Sequence, residues 1–269
     1  MPSTPPPGNQ DAALPSPGLL GLGFLANFFD ALGIGSFATT TAAIKLGRLT
    51  DDGNIPGTLN VGHALPTILQ GALFLAIIEV DRLTMALMVA AAVGGAWFGA
   101  GRVARWPRRA IQRGMAAALL ITAAIITLRQ LDVFPSGGEA TGLGGIALLL
   151  AVAASAVIGS LIALGIGNYA PTMAVTYLLG MSPRAVFPIM AVSGGLMLAV
   201  AAMRFVRAGR FDRRIALGLA LGGIPGVLVA VYLVKSLDVT LLLWLVVGVL
   251  LYTAAMLHRS SRTPEVVPA

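Results

Sequence analysis

Ala31-Leu32-Gly33-Ile34-Gly35 and Ala163-Leu164-Gly165-Ile166-Gly167 spell the same pentapeptide, ALGIG, at a fixed offset (163 − 31 = 132). Each copy interrupts a long apolar run, Leu19–Leu46 in the first case and Leu143–Leu179 in the second. A single membrane pass takes about 20 apolar residues, so both runs are too long for one ordinary helix, and the Gly-X-Gly supplies a break. The register persists downstream. Ala38, Thr40, Ala42 and Leu46 fall on Ala170, Thr172, Ala174 and Leu178, while Pro56, Gly62 and Gly94 fall on Pro188, Gly194 and Gly226. Coincident Gly and Pro at one offset are harder to reach by chance than coincident aliphatics, and they indicate two related halves.

Six further apolar segments complete the pattern: Ile55–Ile78, Leu83–Gly101, Ile111–Leu128, Ala185–Met203, Ile215–Val234 and Val239–Leu257. Of the 269 residues 57% are hydrophobic and 11% charged, and the mean hydropathy is +0.88. A chain of this kind belongs in a bilayer. Backbone polar groups there must bond internally, and the alternation of a lipid-facing barrel strand is missing, so the spans are expected to be helices and the fold an all-α polytopic membrane protein. The expected division is a Pro-rich disordered tail (1–18), a first transmembrane repeat (19–129), a linker (130–142), a second repeat (143–257) and a short C-terminal tail (258–269). The tail lacks Lys and Arg and does not read as a cleaved signal.

The net charge of +7 does not point to nucleic acid, because the basic residues sit in short loops between apolar runs. Arg102, Arg105, Arg108, Arg109 and Arg113 form one cluster; Arg204, Arg207, Arg210, Arg213 and Arg214 form another. Both are expected on the cytoplasmic side. If Leu143–Leu179 crossed once, the second cluster would land outside; counted as a re-entrant hairpin or as two passes, it keeps both clusters inside. The acidic loop Glu79–Asp81 is then outside and its repeat equivalent near Asp212 inside. The halves are therefore expected to be inverted relative to each other, each with a broken helix or hairpin plus three transmembrane helices, an architecture common in transporters that hold substrate near the midplane.

The breaks carry the candidate chemistry. A helix starting near Ser36, and its counterpart near Asn168, would direct free N–H groups and positive dipole ends into the space between them, an anion site needing no buried Lys or Arg. Ser36, Thr39 and Asn168 could add donors, Gly35 and Gly167 allow close approach, and Pro171, followed by Thr172, suits the first turn of a restarting helix. The competing reading is that these small residues only let helices pack closely. Asp30 is the one carboxylate well inside an apolar block, a candidate for coupling to H+ or Na+, or else an interfacial cap. His63, one turn beyond Asn60, is a candidate substrate ligand or proton carrier, or a satisfied interhelical hydrogen-bonding group. Gln70 and, in the second half, Ser193 add polarity, and Lys45 and Arg48 read as snorkelling residues. No HExxH, GxSxG or Walker motif occurs, cysteine is absent, and the two histidines are His63 and His258. Neither an enzyme nor a cofactor is expected.

Phe29–Ser36 (FDALGIGS), Gly57–Asn60 (GTLN) and Gly165–Met173 (GIGNYAPTM), in this order and with the break duplicated, resemble the sulfite exporter TauE/SafE family of membrane permeases over about Leu19–Leu257. The resemblance implies movement of sulfite, organosulfonates or related small oxoanions across the bacterial cytoplasmic membrane. It also implies that Asp30, Gly33, Gly35, Asn60, Gly165, Gly167 and Pro171 lie at the substrate region. The combined expectation is a multi-pass secondary transporter of a small oxyanion, bound by Gly33, Gly35, Ser36, Thr39, Asn60, His63, Gly165, Gly167, Asn168, Tyr169, Pro171, Thr172 and Ser193, and coupled through Asp30 or His63. Its partners are the anion, H+ or Na+ and the lipid bilayer, with a homo-oligomer conceivable. An uncoupled channel and a non-transporting receptor or subunit are the rivals.

Overall fold

A computed structural model describes residues 14–32, 35–133, 138–164 and 167–233, with 251, 255, 258 and 259 beyond them. The apolar block Val239–Leu257 and both tails lie largely or wholly outside these residues. The described chain is helical: α1 (Pro17–Ala31), α2 (Ser36–Gly47), α3 (Ile55–Ile77), α4 (Arg82–Val103), α5 (Arg108–Gln130), α6 (Gly145–Leu161), α7 (Tyr169–Leu178), α8 (Pro183–Arg207) and α9 (Arg213–Leu233). A 3-10 turn, Ile162–Leu164, follows α6. The spans at 55–77, 82–103, 184–207 and 213–231 are each long and apolar enough to cross a bilayer, and α5 matches them in length. The protein is a multi-pass, all-α membrane protein, as its hydropathy predicts.

Both long apolar runs are broken where ALGIG stands, α1 from α2 and α6 from α7. Adding 132 to the first four helices brings them onto α6, α7, α8 and α9 to within a few residues. The packing follows the same rule. α3 lies on α8, α1 on α9 and α4 on α6, and exchanging the halves turns the α1–α9 contact into α6–α4 and the α3–α9 contact into α8–α4.

The pairings fix directions. Ile68 meets Gly195, Gly71 meets Val192 and Phe74 meets Phe187 with ring centroids 5.7 Å apart, so α3 and α8 run antiparallel. Leu19 meets Gly218 and Phe24 meets Gly226, so α1 runs parallel to α9; Gly95 meets Ala156 and Gly99 meets Ser160, so α4 runs parallel to α6. α1 and α2 form a hairpin opening at the end of the bundle that holds both arginine clusters. There Lys45, near the end of α2, pairs with Asp52, which also accepts from Gln112 Nε2 of α5 at 2.7 Å. The Thr58 hydroxyl accepts from Asp212 N–H at 2.8 Å, and Arg204 lies 3.5 Å over the Trp97 ring. The α6–α7 hairpin opens at the other end, where Ser182 N–H donates to Ala140 O at 2.8 Å and Asp81 N–H to Thr141 O at 3.1 Å. Asp81 caps α4: its carboxylate accepts from the Thr84 hydroxyl and amide, each at 2.7 Å, and these bonds hold it below the usual carboxylate range.

Lipid tails are as apolar as leucine side chains, so helix association in a bilayer relies on close packing rather than on hiding apolar surface from water. The α4–α6 seam shows what that requires. A Cβ on Gly99 would stand 2.1 Å from Ser160 O, whereas one on Gly94 would meet nothing within 4 Å. Gly99→Leu is expected to lower unfolding stability in detergent by at least about 1–3 kcal/mol, the usual cost of overpacking. Gly94→Ala should stay within about 1 kcal/mol of the parent; thermal unfolding of both variants checks the seam.

Candidate functional site

The two tips differ in how they are made. In the first, α1 ends at Ala31, and α2 restarts at Ser36 behind Gly35, whose φ of +88° lies in the left-handed region that a side chain would strain. Ser36 N–H, a free donor of the α2 first turn, donates to Asp30 Oδ1 at 2.6 Å. In the second tip the 3-10 turn leads to Asn168, the N-cap of α7, whose backbone carbonyl accepts from Thr172 N–H at 3.0 Å. The Asn168 side chain does not cap α7; its Nδ2 reaches α8, donating to Met190 O at 2.8 Å and Ser193 Oγ at 3.3 Å. Gly33 and Gly165, predicted at the substrate region, lie outside the described residues.

Between the tips is a partly open cavity lined by Asp30, Gly35, Ser36, Phe37, Thr67, Ile162, Gly167, Asn168, Tyr169 and Leu198. Eight of the ten are four pairs at the repeat offset: Asp30 with Ile162, Gly35 with Gly167, Ser36 with Asn168, and Phe37 with Tyr169. The N-terminal turns of α2 and α7 thus contribute to one space, with α3 supplying Thr67 and α8 supplying Leu198.

Polarity around the cavity is sparse and incompletely paired. Asp30 Oδ2, Thr67 Oγ1 and Gln70 Oε1 are buried without a hydrogen-bond partner. Gln70 Nε2 donates to the Tyr169 hydroxyl, tying α3 to the second tip. A buried polar atom without a partner costs about 1–3 kcal/mol, and clustered exceptions call for an explanation such as a bound solute. The pair of helix N-termini and the free Thr67 hydroxyl suit an anion.

Other predicted residues are placed nearby but do not line this space. His63 is buried one helical turn before Thr67, with Nδ1 3.1 Å from Asn27 Oδ1 and Nε2 3.1 Å from Thr40 Oγ1. Since Asn27 Nδ2 donates to Gly23 O at 2.8 Å, its oxygen faces His63, which fixes the proton on Nδ1 and leaves Nε2 to accept from Thr40. Asn60 Nδ2 donates to Pro56 O at 2.7 Å while its Oδ1 is buried and unpaired. Thr39 donates to Ser36 O at 3.0 Å. Ser193 Oγ donates to Ile189 O at 2.6 Å and supports Asn168. Pro171 sits in the first turn of α7, where its missing N–H has no helical partner to lose, and Thr172 O accepts from the Thr176 hydroxyl at 2.7 Å.

Phe37, Thr67, Ile162 and Leu198 line the cavity without having been singled out in the sequence. Three had a legible signal: Phe37 and Ile162 are the offset partners of Tyr169 and Asp30, and Thr67 continues a polar stripe, Asn60, His63, Thr67, Gln70, at helical spacing.

Residues 146–268 match the family model described as Sulfite exporter TauE/SafE, a family of membrane transporters rather than enzymes. The match begins one residue into α6 and takes in the second tip; no curated protein and no solved structure gives a match.

The His63 bonds make a stability prediction. His63→Leu would leave Asn27 Oδ1 unpaired inside the bundle and is expected to cost about 1–3 kcal/mol, read as a lower unfolding midpoint. His63→Gln, which retains a donor and an acceptor, should recover part of it.

Proposed function

We propose that the protein is a secondary transporter that carries a small oxyanion, of the sulfite or organosulfonate class, across the bacterial cytoplasmic membrane by alternating access. The observation that carries the reading is the cavity between the tips: two helix N-termini, from hairpins that open at opposite ends of the bundle, contribute equivalent residues to one space. Donors without a buried cation can hold an anion while leaving it free to depart, as a carrier must.

The antiparallel α3 and α8 and the exchangeable packing of the halves support an inverted repeat. Two halves of opposite sense can trade conformations, so that a state open to one side has a counterpart of similar energy open to the other. The arginine-bearing end would face the cytoplasm, in keeping with the positive-inside rule. The family match over the second half supports the substrate class.

Thr67 and Asn168 provide the test. Thr67 Oγ1 has no protein partner, so Thr67→Val should leave unfolding nearly unchanged yet reduce affinity for sulfite about tenfold or more, the effect of losing one hydrogen bond to a charged group. Asn168→Leu should abolish uptake of radiolabelled sulfite into proteoliposomes while the protein remains helical and monodisperse. Parent-level uptake by both variants would refute the site.

A further inference from the structure

Asp30 is awkward company for an anion. It is 4% exposed, lines the cavity, and donates nothing as a carboxylate; Oδ1 is engaged by Ser36 N–H while Oδ2 has no partner. Among the described residues no cation lines the cavity. Across the cavity are the neutral Asn168 and Tyr169. On α3 the nearest titratable side chain is His63, whose nitrogens are both taken by Asn27 and Thr40. On α2, Lys45 is paired with Asp52 at the open end of the hairpin. On α9, Arg213 and Arg214 stand in the first turn, level with the start of α1 rather than its end. An ionised Asp30 would therefore set an unbalanced negative charge in the same small space as the incoming anion, and like charges in an enclosed apolar surround repel strongly.

Resting on the anion site proposed above, we infer that Asp30 binds one proton together with each transported anion, so that proton and oxyanion share the cavity. The step is a protonation alone. A hydronium ion gives its proton to Oδ2 and leaves as water, the carboxylate becomes a neutral acid, and no electrons are exchanged. Oδ1 keeps the Ser36 amide bond, and Oδ2–H changes from an orphan acceptor into a donor aimed at an anion oxygen. One added proton thus removes the repulsion and supplies a hydrogen bond. The second tip has Ile162 at the equivalent position, so the stoichiometry is one proton per cavity. By linkage, whatever favours the protonated acid favours anion binding, and affinity falls as pH rises past the titration of the acid.

The test uses the purified full chain, with sulfite and with methanesulfonate, a monoanion that does not titrate near neutrality; sulfite data are corrected for its own titration. Affinity is measured from pH 5 to 9, and proton uptake on binding is followed with an indicator in weakly buffered solution. The expected results are a fall in affinity of about tenfold per pH unit on the alkaline limb and uptake approaching one proton per bound anion. In Asp30→Asn, which cannot titrate, the slope and the uptake should vanish whatever affinity is left. Binding that is flat with pH and takes up no proton overturns proton co-binding while the anion site stands, as does binding that requires Na+ instead. A slope that persists in Asp30→Asn assigns the proton to another group and also overturns it. Absence of saturable binding of either anion to the parent at every pH overturns the anion site and the proton together. If Asp30→Asn does not fold, proton uptake and pH slope in the parent decide.

Discussion

Within a bilayer every backbone N–H and C=O has to find a partner inside the protein, and a helix that stops at membrane depth leaves its last turn and its successor's first turn short of partners. This protein breaks a helix within a long apolar run twice. Everything at its centre follows from how those ends are housed: the tips face each other rather than lipid, α3 and α8 close around them, and Asp30 answers one of the free amides directly. The second tip finds another solution. Asn168 spends its side chain on α8 instead of on its own helix, so the first turn of α7 is anchored sideways.

Glycine makes this arrangement possible by position rather than abundance. Where α4 meets α6, and where α1 meets α9, backbone carbonyls approach so closely that even a methyl group would be excluded. Such contact substitutes for the missing hydrophobic driving force and holds each hairpin against a helix of the opposite half, α1 on α9 and α6 on α4. The halves are consequently interleaved, with neither able to bury its own broken helix alone.

Much of this was legible in the sequence because it depends on local chain chemistry. ALGIG at a constant offset gave both breaks; apolar length gave the spans; the basic loops placed both arginine clusters together, and Trp97, Gly53 and Thr58 do meet the α8–α9 junction at a single end. What stayed hidden depends on how helices cross. Leu198 had no local signal, since it reaches the cavity only because α8 passes α3 in antiparallel fashion. His63 looked equally suited to substrate and to structure, and its partners, Asn27 and Thr40 on two different helices, are a tertiary fact that the sequence does not carry. The prolines and glycines aligned by the repeat carried more information than the polar residues, because a break constrains backbone whereas a polar side chain only requires some partner.

The halves differ again at the Lys45–Asp52 pair. At the repeat offset these positions hold Tyr177 and Arg184, a phenol and a cation in place of the ion pair. The first hairpin is thereby riveted to the loop before α3 and, through Gln112, to α5, while the second is held at its open end by backbone bonds around Ala140 and Met181. The Lys45–Asp52 pair thus ties the first hairpin to the loop before α3 by charge, at the hairpin's open end and not among the residues that line the cavity between the tips.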